Sequence, residues 1–253
     1  HGLEIDDIRA WSPGDDIRHI DRNVTARTGI PYVRTFRAER DQTTLLFADF
    51  RPSMLFGTKR AFRSIAAAEA LALVGWRVVA EGGRVGLLTT GPGEPVFVSP
   101  SNGERAMTAV IGGMVEAHAR AVESEAIEDR PLDVALEMAA RCLPRGGTLV
   151  MATALDEIGD AFVSIAHSLI RRASLRVILV RDAFESKPPA GLYPFVTGSG
   201  RRGWGKIAGS GAPRDDARLA MLADIGVRAV QLDAELEPEA FVSVLERLDA
   251  PSQ

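Results

Sequence analysis

Residues 44–50, Thr-Leu-Leu-Phe-Ala-Asp-Phe, are apolar almost without interruption. A run this short, with apolar side chains on both alternating faces, predicts a central parallel strand covered by helices on each side. Residues 59–81 are Ala-rich, free of Pro and closed by Gly82-Gly83, which predicts a helix with a glycine stop. Residues 84–90 read as the next strand, Gly91-Pro-Gly-Glu94 as a turn, and 95–99 as an antiparallel return. Helices are predicted over 102–122, 131–142, 156–172, 212–225 and 238–248, with Pro131 at a first helical position, and strands over 148–153, 175–181 and 227–232. Alternation of this kind predicts an α/β fold: a doubly wound, mostly parallel sheet with one antiparallel edge strand. Residues 182–211, rich in Gly and Pro, break the rhythm and read as an inserted loop or hairpin within one α/β domain, 43–253. Residues 1–42 carry Trp11, Ile17 and Ile20 among their charges, apolar enough to pack on that domain.

Composition narrows the classes. A chain of 253 residues buries a core without staples. Hydrophobic residues are 46% and charged residues 25%, ordinary for a globular protein, and the net charge of −4 offers no overall attraction to nucleic acid or an anionic membrane. Cys142 stands alone, so no intrachain disulfide forms, which fits a cytoplasmic location. No apolar run reaches membrane-spanning length and no signal peptide opens the chain. The chain opens on His1 and not on Met, which leaves room for an upstream segment, a membrane anchor included.

In open α/β sheets, ligands bind beyond the carboxyl ends of the strands. Here that rim gathers Asp49, Arg51 and Ser53 after the first strand, Asp129 and Arg130 before Pro131, and Thr153 and Asp156 after the fourth. A second dense polar signature lies at the start: Arg9-Ala-Trp-Ser-Pro-Gly-Asp-Asp-Ile-Arg-His-Ile-Asp21, then Ala26-Arg27. Pro13-Gly14 predicts a turn, and Asp15 or Asp16 a cap for a short helix. Arg18, Arg27 and Arg34 have the carboxylates of Asp16, Asp21 and Glu39 within sequence reach. The segment reads either as a docking surface or as a polar clamp, and local side chain–backbone bonds explain each residue type in it.

These two signatures together resemble the bacterial domain-of-unknown-function family 58, whose members carry a von Willebrand factor A-like domain, and the likeness extends over nearly the whole chain. The resemblance implies a three-layer fold of that type. It also implies a rim that often holds a divalent cation through Asp-x-Ser-x-Ser, with a Thr and an Asp from two other loops. This chain departs from that pattern. Arg51 stands where the middle Ser belongs, Arg130-Pro131 occupies the region of the Thr, and Thr153 aligns with the expected Asp, while Asp156 comes three residues late, where it reads as a helix cap. An Arg cannot ligate a cation. The expectation is therefore a rim without a metal or other cofactor, in which Asp49 is ion-paired to Arg51 or Arg130. Asp49, Arg51, Ser53, Arg130, Thr153 and Asp156 are its candidate binding residues.

Other motifs lack context. Gly198-Ser-Gly-Arg-Arg-Gly203 matches a dinucleotide pattern and Gly200 to Lys206 most of a P-loop, but Ile207 replaces the Mg²⁺-binding hydroxyl and Gly209, Gly211 and Pro213 prevent a prompt helix. His19, His118 and His167 have no metal-ligand spacing, and no nucleophile–base set is evident. Two functions remain. The resemblance implies a non-enzymatic interaction module acting with a MoxR-type AAA+ ATPase in assembly or maturation of client proteins yet to be identified. The alternative is Mg²⁺-dependent binding or hydrolysis by the rim carboxylates.

Overall fold

The computed structural model describes residues 4–13, 15–17, 20–37, 42–186, 188–196, 201–208 and 216–249. Two units are distinguished, His1–Asp41 and Gln42–Gln253. The first holds an antiparallel pair, β1 (Glu4–Ala10) and β2 (Tyr32–Arg37), joined through helix α1 (Arg22–Thr28). Neither strand was expected from the sequence, because charged residues interrupt the alternation that marks a half-buried strand. The cap of α1 is Asp21: its carboxylate accepts from the backbone N–H groups of Asn23 and Val24. Asp15 instead forms a two-pronged pair with Arg9, at 2.7 and 2.8 Å, and accepts from Ser12 N–H. The Arg9 guanidinium holds its carboxyl below the usual range. The pairings expected of Arg18 and Glu39 lie outside the described residues, as does the Arg34 side chain.

The second unit is built on β3 (Thr43–Asp49), in which every residue is buried. It lies between β4 (Arg84–Thr90) and β6 (Thr148–Thr153), parallel to both. β5 (Phe97–Ser101) runs antiparallel to β4 at one edge, and β7 (Ser174–Arg181) and β10 (Arg228–Asp233) extend the parallel sheet to the other. The expected class is thus the observed one: mixed α/β, with a mostly parallel sheet and one antiparallel edge strand. Period-two alternation along β3 sends Leu45 and Phe47 to one face and Leu46 and Ala48 to the other, each into its own core. Helices α2 (Arg63–Ala80), α3 (Gly103–Glu123) and α8 (Pro238–Asp249) cover one face. Helices α4 (Leu132–Cys142), α5 (Phe162–Ile170) and α7 (Ala217–Asp224) cover the other. Small residues bring α2 close to α3: a Cβ on Gly75 would lie 2.6 Å from Met107 Sδ.

Two expected helices are shorter than the sequence pattern. Asp156 caps nothing, because Leu155 and Glu157 both have positive φ, 56° and 42°, and the chain turns there before α5 begins at Phe162. Helix α2 begins at Arg63 and not at Lys59: residues 59–62 form an irregular link that follows a 3-10 turn, Pro52–Leu55. Within the Gly/Pro-rich stretch, a short helix α6 (Ala183–Ser186) precedes two antiparallel strands, β8 (Gly191–Val196) and β9 (Arg202–Ile207), which form their own two-stranded sheet. Arg202, Gly203, Gly205 and Lys206 of the P-loop-like motif therefore lie in a strand. Gly198 to Gly200 lie outside the described residues.

One polar clamp lies between α2 and α3. Fully buried Ser64 is 3.1 Å from His118 Nε2, and the edge of His118 meets Phe50 at a ring separation of 5.6 Å. Burial pushes the His118 imidazole below its ordinary value of 6.5. The folded state therefore disfavours the proton, so stability is complete above the unfolded value and is lost as pH falls from about 6.5 through the depressed folded value. Thermal melts across this window should show falling stability in the wild type and a shallower fall in His118→Gln; equal slopes would remove His118 as the cause.

Candidate functional site

Strands β3 and β6 are neighbours, yet the chain leaves β3 toward β4 on one side and returns to β6 on the other. Their carboxyl ends therefore flank the point where winding reverses, the place where such sheets open a crevice. Asp49 ends β3 and Thr153 ends β6, both fully buried. Between them lies the Arg51 side chain, 1% exposed and first by volume among the fully buried side chains described.

All five N–H donors of this guanidinium find an acceptor. Nε and Nη2 donate to the two carboxylate oxygens of Asp49, at 3.0 and 2.8 Å. Nη2 also donates to the Asp156 carbonyl at 2.8 Å, and Nη1 to the carbonyls of Arg130 at 2.8 Å and Glu157 at 3.1 Å. Asp49 is saturated in turn, accepting from the Arg51 backbone N–H and from Thr153 Oγ1 at 2.7 Å. Thr153 Oγ1 accepts from Leu155 N–H, which anchors the left-handed turn that aims the carbonyls of Asp156 and Glu157 inward. Backbone strain at Leu155 and Glu157 is thus held by the bonds that it makes possible. Burial works against the Arg51 charge, but Asp49, then Asp129 and Asp156, outweigh it and hold the group above its ordinary value.

The sequence candidates meet here in different ways. Asp49, Arg51 and Thr153 contribute side chains. Arg130 contributes its carbonyl, and its side chain is exposed; the partner of Asp49 is Arg51. Asp156 contributes a carbonyl, while its carboxylate turns outward to Arg63 at 3.3 Å. Burial pushes that carboxyl above its ordinary value, against the pull of Arg63 and Arg218. Ser53 is held through its backbone N–H, which donates to Asp129 Oδ1 at 2.9 Å; Ser53 Oγ has no partner among the described residues.

A second layer of charge surrounds this core and was not foreseen. Arg63, in the first turn of α2, donates to the Ser53 carbonyl, Asp156 and Glu185. Arg218 bridges Glu185 and Asp216 and reaches the Ala154 carbonyl at 2.7 Å. Asp182 accepts from Thr58 and from Phe184 N–H, bonds that hold its carboxyl low despite burial. A signal existed for Arg63: it stands four residues before Ala67 and seven before Ala70, on the buried stripe of α2, where a cation requires internal partners.

Sequence comparison matches residues 7–198 to the family described as Protein of unknown function DUF58. This takes in most of the chain, which belongs to that family. Proteins Rv1480 of Mycobacterium tuberculosis and Mb1516 of Mycobacterium bovis, both described as uncharacterized, are each 38% identical over 87 residues, 34% of this chain. That stretch is only 27% of either relative. Among solved structures, BatB from Bacteroides thetaiotaomicron superposes with a TM-score of 0.52 at 12% identity, covering 81% of this chain and 96% of that one. The SpRpn10 VWA domain superposes with a TM-score of 0.51 at 9% identity, covering 84% and 99%. At such identities the likeness is one of fold, von Willebrand factor A-like.

The residues at the rim do not fit the divalent ion that the resemblance implies. Both Asp49 oxygens face a guanidinium, Arg51 fills the space between the strand ends, and no group of three His, Cys, Asp or Glu side chains placed to hold a metal exists among the described residues. Arg51→Ala should cost about 3–5 kcal/mol in chemical denaturation, because it strands a buried carboxylate. Asp49→Asn combined with Arg51→Met should cost less than Arg51→Ala alone, since it removes both charges. Millimolar Mg²⁺ or EDTA should leave the melting temperature unchanged. Clear stabilisation by Mg²⁺, or a loss below about 1 kcal/mol in Arg51→Ala, would contradict this account.

Proposed function

We propose that this chain is a non-catalytic protein-interaction module that uses the carboxyl-end rim of its sheet as a binding face. The observation that carries the reading is the saturation of Arg51 and Asp49: the charged centre of the rim is spent on holding three loops in place. What faces outward is different in kind. Phe56 and Phe62 are each 39% exposed, Ile127 is 51% exposed, and Arg130, three residues after Ile127, is exposed as well. A cleft of about 200 Å³ between Pro52, Gly91–Gly93 and Ser124–Arg130 is below the usual ~300–1,000 Å³ of a small-molecule site and suits one side chain of a partner. Family membership supports a MoxR-type AAA+ ATPase as that partner, with the module assisting assembly or maturation of other proteins in the cytoplasm.

Interferometry with the MoxR-type ATPase of the same organism, in ATP-analogue and ADP states, tests this. Binding should depend on the nucleotide and weaken roughly tenfold in Ile127→Asp with Arg130→Glu, at unchanged melting temperature. No binding in either state would remove the ATPase from the proposal; undiminished binding by the variant would remove the rim.

A further inference from the structure

The β8–β9 hairpin is built like a docking platform. From Ser186 to Arg214 the sequence contains no Asp or Glu and five cationic residues, in a chain of net charge −4. Strand register sets Leu192 opposite Lys206 and Pro194 opposite Trp204, so these four share one face, and Arg202 joins them two residues from Trp204. Leu192 is 62% and Trp204 67% exposed, and Pro194, Arg202 and Lys206 are exposed as well. Neither Arg202 nor Lys206 has an ion-pair partner among the described residues.

The opposite face explains why this one is presented. The Phe195 ring lies over Gly203, where a Cβ would be 2.7 Å from its Cζ, and over Gly205 at 3.5 Å. Tyr193 stacks edgewise on Phe184 at 4.8 Å, Phe184 meets Phe56 at 6.3 Å, and Arg63 sits 5.3 Å from the Phe56 ring. The hairpin is thus tied through aromatic rings to the residue that braces the rim loop. Among the described residues β9 pairs only with β8, which leaves its outer edge without a neighbouring strand.

We infer that β9 receives an extended acidic segment of a partner protein, added as a third strand, with the pattern acidic–x–apolar–x–acidic. Side chains at alternate positions of a strand are about 7 Å apart, so an added strand sets its alternate residues against Arg202, Trp204 and Lys206. Two carboxylates then meet the two cations, and an apolar side chain between them meets the indole. A face made of Leu192, Pro194, Arg202, Trp204 and Lys206 is far smaller than the roughly 20–30 residues a side of a standard interface, which fits a short segment and not a folded domain. This rests on the reading of the chain as an interaction module and names the chemistry of what it binds. It concerns a surface other than the rim.

The probe is a fluorescent heptapeptide, Thr-Asp-Thr-Ile-Thr-Asp-Thr, titrated with the full chain by polarisation. Saturable binding is expected, weakened roughly tenfold or more when both Asp are replaced by Lys, when they are moved next to each other, or when alternate amides are N-methylated. Trp204→Ala and the pair Arg202→Ser, Lys206→Ser should weaken it likewise, with circular dichroism confirming the fold. Peptide binding indifferent to spacing, or unaffected by N-methylation, would overturn strand addition. Trp204-dependent sedimentation with phosphatidylserine vesicles and no peptide binding would replace it with a membrane contact. The Ile127→Asp, Arg130→Glu protein should bind the peptide like the wild type, so failure of the rim as ATPase site and failure of the hairpin are separately visible.

Discussion

A fully buried guanidinium at the winding reversal of the sheet is the constraint on which the rest depends. Taking a cation out of water costs several kcal/mol, and the same holds for the carboxylate it meets. The two charges alone would not offset both penalties. What does is completeness: five donors, five acceptors, and a carboxylate that also takes a backbone N–H and a threonine hydroxyl. The three carbonyls come from two different loops, so their convergence requires those loops to be in one arrangement. Arg51 therefore specifies conformation more than it adds net stability, and the positive φ at Leu155 and Glu157 is the local cost of that specification.

Charge propagates outward from this centre by necessity. Asp156 gives its carbonyl to Arg51, so its carboxylate points away and needs a cation, which Arg63 supplies. Arg63 shares Glu185, which then meets Arg218, and Arg218 closes on Asp216, the cap of α7. Each step pairs a partly buried group that water serves poorly. The chain of pairs runs from the end of β3 to the start of α7.

The sheet was legible because its signals are physical and local. An unbroken apolar run made β3 an inner strand, and Gly91-Pro-Gly turned β4 into its antiparallel neighbour. The pairing of Asp49 with an Arg was also within reach, since a carboxylate at the end of a buried strand needs a countercharge and Arg51 is two residues away. The carbonyl acceptors were not legible. Which backbone oxygens face a guanidinium depends on the turn at Leu155 to Gly159, and nothing in Leu or Glu advertises a left-handed φ. The same turn moved the start of α5 from Asp156 to Phe162. In the first unit, β1 and β2 escaped notice because their charged residues blur the alternation.

The substitution of a guanidinium for a metal changes what a rim can recognise. A divalent ion held by a few oxygens keeps coordination positions open, and a partner's carboxylate can complete its shell. A guanidinium has a fixed number of donors, and here none is left over. The Arg51–Asp49 pair is complete before any partner arrives, although Asp129 Oδ2 and Ser53 Oγ beside it have no hydrogen-bond partner among the described residues. On the proposed reading as an interaction module, recognition moves from the centre of the rim to its surroundings, where hydrophobic side chains and cations without internal partners remain in water. Phe56 shows how the two regions stay connected: one side packs toward Arg63, which braces the rim, and the other toward Phe184, which leads to the hairpin. A saturated centre gives these outer surfaces a rigid frame, and rigidity reduces the ordering cost that a binding face otherwise meets on association.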